Sequence, residues 1–128
     1  THFRLIGVCG PYSWIEASPV SGRTHQIRVH LTDCGLSIVC DPLYGGNQKP
    51  IRLSEIKRSW RGDVYEERPL LERLALHAYK IEFNHPVTNE RISFTAPYEK
   101  DMESVRKQFS KLFKVDPLKE IDKKGDSL

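Results

Sequence analysis

Ser21-Gly22-Arg23-Thr24-His25-Gln26-Ile27-Arg28-Val29-His30-Leu31 joins a turn to a dense run of polar side chains at helical spacing. Gly22 gives the backbone freedom for a tight turn. Ser21 or Thr24 stands where it can cap the first exposed amides, and Gly35 supplies a stop. Ile27, Leu31 and Cys34 fall on one apolar face, while Thr24, Arg28 and Thr32 stack one turn apart on another. A helix needed only for packing has no use for Arg23, His25, Gln26, Arg28 and His30 together, so the stretch reads as the wall of a site. A solvated polar face is the plain competitor. His25 and His30 are five apart, whereas two helical metal ligands need three or four to share a face. Asp33 follows His30 by three but has no companion, so no metal is expected.

Working outward, Phe3 to Cys9 and Tyr12 to Val20 read as strands around a Gly10-Pro11 turn, with Trp14 as core or edge packing. Ser37 to Cys40 reads as a short strand, and Asp41-Pro42-Leu43-Tyr44-Gly45-Gly46 as a turn-rich loop. Tyr44 is read as packing that loop down, with stacking on a base as its competing role. Residues 47–73 form a polar excursion with seven basic and five acidic residues. There Arg52, Lys57, Arg58 and Arg61 surround Trp60, the mixture that single-stranded RNA surfaces use; a solvated loop is the default. Leu74 to His85 and Glu90 to Phe94 read as strands joined by Pro86-Val87-Thr88-Asn89. His77 and His85 are taken as structural hydrogen-bonders. Met102, Val105, Phe109, Leu112 and Phe113 recur at helical spacing, giving a helix over Asp101 to Phe113.

The chain has 128 residues, 38% hydrophobic and 29% charged, with a net charge of +3. That suits one domain with a moderate core, and the charged end of the chain should fray. The weak positive balance permits nucleic acid without demanding it. Three cysteines without paired spacing point to reduced thiols and a cytoplasmic setting. No apolar run approaches the ~20 residues of a membrane span, so no membrane partner is expected.

The helical block, followed by Ile38-Val39-Cys40-Asp41-Pro42-Leu43-Tyr44-Gly45, resembles the RluA-type family of RNA pseudouridine synthases. Leu76-His77-Ala78, Phe83-Asn84-His85-Pro86 and Phe94-Thr95-Ala96-Pro97 resemble its later blocks, covering roughly residues 3 to 113. Leu36-Ser37 stands where the family commonly has His-Pro, and Cys40 where it commonly has Gly. The family's nucleophilic aspartate, in a His-Arg-Leu-Asp motif, and its active-site tyrosine have no match here. The resemblance therefore implies the C-terminal part of the catalytic domain, inactive alone. It also implies the α/β (α+β) pseudouridine synthase fold over residues 1–114, a mixed and largely antiparallel sheet flanked by helices, with 115–128 as a charged tail.

The implied chemistry isomerises specific uridines of rRNA or tRNA, with no metal or redox cofactor. The implied partner of the missing aspartate is Arg28, and the leucine beside the base maps to Leu76, for which burial in a strand is an equal reading. Arg23, His25, Gln26 and His30 then line the RNA side of the cleft, with His30 equally suited to packing. Arg28 is expected in an open groove, bonded to water, an anion or a local acidic side chain. Exposed apolar surface and a bare strand edge are expected to drive self-association. A non-catalytic RNA-binding module sharing the half-fold is the alternative function.

Overall fold

The computed structural model describes residues 1–45 and 49–119. Its elements run β1 (His2–Cys9), β2 (Tyr12–Ser18), α1 (Gln26–Asp33), α2 (Leu53–Ile56), β3 (Lys80–Asn84), β4 (Arg91–Thr95) and α3 (Lys100–Phe113). Helices and antiparallel sheet share the chain in an α+β arrangement. The antiparallel character expected from the resemblance is present, but among the described residues the strands do not join into one sheet. They form two separate two-stranded antiparallel sheets, β1 with β2 and β3 with β4.

Gly10, at φ +63, turns the first hairpin. Its register runs from His2 opposite Ser18 to Cys9 opposite Tyr12, with an irregularity between Leu5 and Gly7. Gly7 is required there, because a Cβ would come 2.5 Å from Val115 Cγ1. In the second hairpin Ile81 opposes Phe94 and Phe83 opposes Ile92, which puts four apolar side chains on one face.

Cys9, Ile51, Leu71, Met102, Val105 and Phe109 form the buried core. The helical spacing of Met102, Val105 and Phe109 turns one stripe of α3 onto the first hairpin. Phe109 stacks on Tyr12 and meets Trp14 edge-on, with centroids 6.2 and 5.9 Å away. Trp14 is thus core packing. Arg73 clamps the start of α3 through Asp101, at 2.6 and 2.7 Å. Of the segment read as a tail, Val115 packs against the core, Pro117 is fully buried and Asp116 accepts from Arg106. Residues 120–128 lie outside the described residues.

Among the described residues one expected strand does not form and another is shortened. Residues 37–40 are extended or turned, and only residues 80–84 of the Leu74 to His85 stretch pair as a strand. A strand needs a ladder partner. Among the described residues, segments 37–40 and 74–79 share a single backbone bond, Ala75 N–H to the Val39 carbonyl at 3.0 Å. His77 and His85 do serve as hydrogen-bonders, to the Ala96 carbonyl and to the amides of Val87 and Thr88.

Candidate functional site

Helix α1 starts without the cap expected of it. His25 is the N-cap residue in the left-handed region, at φ 52, and no side chain caps the first turn. Ser21 Oγ donates instead to Gln26 Oε1 at 3.0 Å, and the Arg23 amide reaches the same oxygen. A long Gln side chain reaching back over the turn competes successfully for these donors. The other end matches expectation. Gly35, at φ +79, donates to Thr32 O and Leu36 N–H reaches Leu31 O, a pair of bonds that closes a helix with glycine in the left-handed region. Leu31 is buried, but Cys34 is exposed and leaves the apolar face.

The helix sorts its polar side chains by face. Gln26 and His30, one turn apart, both meet the Thr1 hydroxyl, at 2.7 and 3.2 Å. His25 and Arg28, three apart, both meet Tyr44. His25 Nδ1 lies 3.1 Å from the Tyr44 hydroxyl, and the Arg28 guanidinium carbon lies 5.2 Å from the ring centre. Arg23 is exposed at the start of the block.

Arg28 grips Asp41 side-on. Nε donates to Oδ2 at 2.9 Å and Nη2 to Oδ1 at 2.6 Å. Oδ1 also accepts the amides of Leu43 and Tyr44, at 2.9 and 3.1 Å. The loop folds around this carboxylate: Cys40 is left-handed at φ 57, and a Cβ on Gly45 would come 2.6 Å from the Asp41 carbonyl oxygen. The Asp41 side chain has 0% exposure and that of Arg28 12%. The Arg28 hydrogen bonds hold the Asp41 carboxyl well below the ordinary carboxylate range, overcoming the upward push of burial. The same bonds hold the Arg28 pKa above its usual value. The expected local acidic partner of Arg28 is therefore present, and the guanidinium is largely but not wholly buried against it.

Asp41 is the residue that sequence reasoning passed over as a partner, whereas Tyr44, read as packing the loop down, does so against His25 and Arg28. The signal for Asp41 was the Asp-Pro-Leu-Tyr-Gly turn itself, since an aspartate that accepts amides two and three residues on is a recurrent loop device. Leu76 is 36% exposed, not a sealed strand leucine. Its neighbour Ala75 ties it by backbone to Val39, just before the Asp41 loop.

The excursion holds its basic residues elsewhere. Arg52 donates to the Glu67 carbonyl at 3.3 Å, and Glu67 in turn binds Ser54. Lys57, Arg58 and Trp60 line a separate groove, and Arg61 is exposed beside them. No group of three or more His, Cys, Asp or Glu side chains among the described residues could hold a metal ion. Among them, too, no helix is long and apolar enough to cross a membrane.

No family model matches the chain. Individual relatives do. A protein of Neisseria meningitidis serogroup B named ribosomal large subunit pseudouridine synthase D is 38% identical over 104 residues, which is 80% of this chain and 25% of that protein. Ribosomal large subunit pseudouridine synthase C of Vibrio cholerae serotype O1 is 37% identical over 103 residues, 80% of this chain and 29% of that one. An uncharacterized RNA pseudouridine synthase of Chlorobaculum parvum is 37% identical over 105 residues, covering 82% and 31%. The chain spans 25 to 31% of the length of these three curated relatives. Over that span its sequence belongs to the RluA-type family of RNA pseudouridine synthases.

Proposed function

We propose that this chain forms part of an RNA pseudouridine synthase, supplying the arginine wall of the pocket that receives a flipped uridine. The Arg28–Asp41 pair carries the reading. Its side-on geometry uses Nε and Nη2, and Nη1 has no partner among the described residues. The end of the guanidinium fork is thus left for a second oxyanion. In the family that oxyanion is the nucleophilic aspartate, whose motif this chain lacks. Because Asp41 already balances the guanidinium, the pair offers a directed hydrogen bond more than a bare positive charge. Such a donor orients a carboxylate and favours its ionised form.

The isomerisation breaks the N1–C1′ bond, turns the uracil and joins C5 to C1′. The C5 proton is lost and N1 gains one, so the atoms balance without a co-reactant. Leu76, exposed and tethered near the Asp41 loop, is assigned to packing beside the base. His25 and Arg23 are assigned to the base and phosphate side, with Gln26 and His30 joining from the face that meets Thr1. Arg52, Lys57, Arg58, Trp60 and Arg61 are assigned to flanking RNA. The substrate is rRNA or tRNA in the cytoplasm, and the catalytic domain, of which residues 1–114 are a part, has the pseudouridine synthase fold.

The test joins these residues to an upstream segment carrying the His-Arg-Leu-Asp motif. There Arg28→Ala should lower pseudouridine formation by about 10²–10³, the loss of one directed transition-state contact, with RNA affinity nearly unchanged. The 128-residue chain alone should form none, as read by chemical labelling, because the isomer has the same mass. Turnover by the isolated chain, or parallel loss of binding and turnover, overturns the reading. RNA binding without turnover by the joined protein points to a non-catalytic RNA-binding module.

A further inference from the structure

Away from α1 and the Asp41 loop, a cavity of about 430 Å³ opens between the first hairpin turn, the segment after α2 and the end of α3. That volume lies within the roughly 300–1,000 Å³ of small-molecule sites. Its walls combine two chemistries. Pro11, Trp60 and Phe113 give flat apolar surface, and Lys57 and Arg58 give cations. Neither cation forms an ion pair among the described residues, in contrast to Arg28, Arg73 and Arg106. Glu55 is the one carboxylate in the lining, and the Ser54 hydroxyl is already committed to Glu67. The indole is also buttressed. A Cβ on Gly62 would come 2.5 Å from Trp60 Cζ2, so the backbone lies directly against the ring.

We propose that this cavity is a nucleotide subsite for single-stranded RNA, holding one base against Trp60 and its phosphate between Lys57 and Arg58. The proposal rests on the reading that the chain acts on RNA, and adds a second anchor outside the uridine pocket. Charge complementarity selects the occupant: a base offers a face to an aromatic ring whatever its identity, and the phosphate matches the unpaired cations. The aromatic wall would hold a flanking nucleotide without reading its sequence.

The experiment follows the two tryptophan indole N–H signals of the full 128-residue chain by NMR, as an oligouridylate of about 8 nucleotides is added. Trp60 should shift and Trp14, packed in the core, should not. Trp60→Ala should weaken binding about tenfold and Trp60→Phe should restore most of it, as expected for stacking. Lys57→Gln with Arg58→Gln should reduce the salt slope by about 0.7, the one single-strand phosphate they hold, while Trp60→Ala leaves the slope alone. Gly62→Val should displace the ring and mimic Trp60→Ala. RNA that binds without shifting Trp60 overturns the subsite and leaves the Arg28 reading standing. An acidic peptide that shifts Trp60 as strongly as RNA also overturns it, in favour of a protein partner. Conversely, a subsite that behaves as described in a joined protein without turnover would sink the isomerase reading alone.

Discussion

Arg28 and Asp41 are 13 residues apart in the chain and meet through two parallel hydrogen bonds, with the carboxylate fully buried. Such a pair is poor evidence of net stabilisation, because removing two charges from water is costly. Breaking it is another matter, since either partner alone would remain largely buried. Asp41→Ala should destabilise the chain by about 3 kcal/mol, while an Arg28→Met, Asp41→Leu double variant should recover much of that. Urea unfolding of the three variants checks this, and strictly additive losses would contradict it.

Acid should loosen the same loop. The folded-state pKa of Asp41 is depressed, so the unfolded chain binds its proton more readily. The stabilisation from this group is complete above the ordinary carboxylate value of about 4, and fades as pH falls below it toward the depressed folded value. Asp101 and Glu103, lowered by Arg73 and Arg106, act in the same direction. Asp41→Asn should therefore flatten the acid limb of a stability–pH curve without abolishing it. An unchanged limb would show that Asp41 does not carry this linkage.

Cys40 occupies the left-handed region at φ 57 with its side chain buried, where the resembling sequences commonly have glycine. The backbone strain, roughly 1–2 kcal/mol, opposes a similar benefit from burying the thiol. Cys40→Gly should consequently change stability by less than about 1 kcal/mol, whereas β-branched Cys40→Val should lose about 2 kcal/mol or more. Thermal melts of both distinguish strain from packing. A tolerated valine would refute the strain account.

The second hairpin presents Ile81 and Phe94, 60% and 59% exposed, beside the stacked pair Phe83 and Phe94. We propose that this face drives self-association, since an apolar sheet face with bare edges recruits another chain. Light scattering should show mass rising with concentration, and Phe94→Lys should suppress the rise. A clean monomer across the series would rule this out.

Much of the local structure was legible in the residues themselves. Gly10-Pro11 and Pro86 to Asn89 punctuate two hairpins, the spacing of Met102, Val105 and Phe109 announces α3, and Gly35 ends α1. Each depends on neighbours within a turn or two, which is the range over which propensity and periodicity act. The same range explains the failures. Residues 37–40 and 74–79 have strand-like composition, but a strand exists only where a distant segment supplies the ladder. The side-chain cap on α1 was lost to Gln26, a competitor whose reach depends on how the turn folds. The sequence alone could single out Arg28 and place it on a helix. Only the tertiary structure could give it Asp41, bring Tyr44 against its guanidinium with His25 on the tyrosine hydroxyl, and send Gln26 and His30 to another face. A charge partner 13 residues away is selected by chain reversal and burial, and neither is written in local spacing.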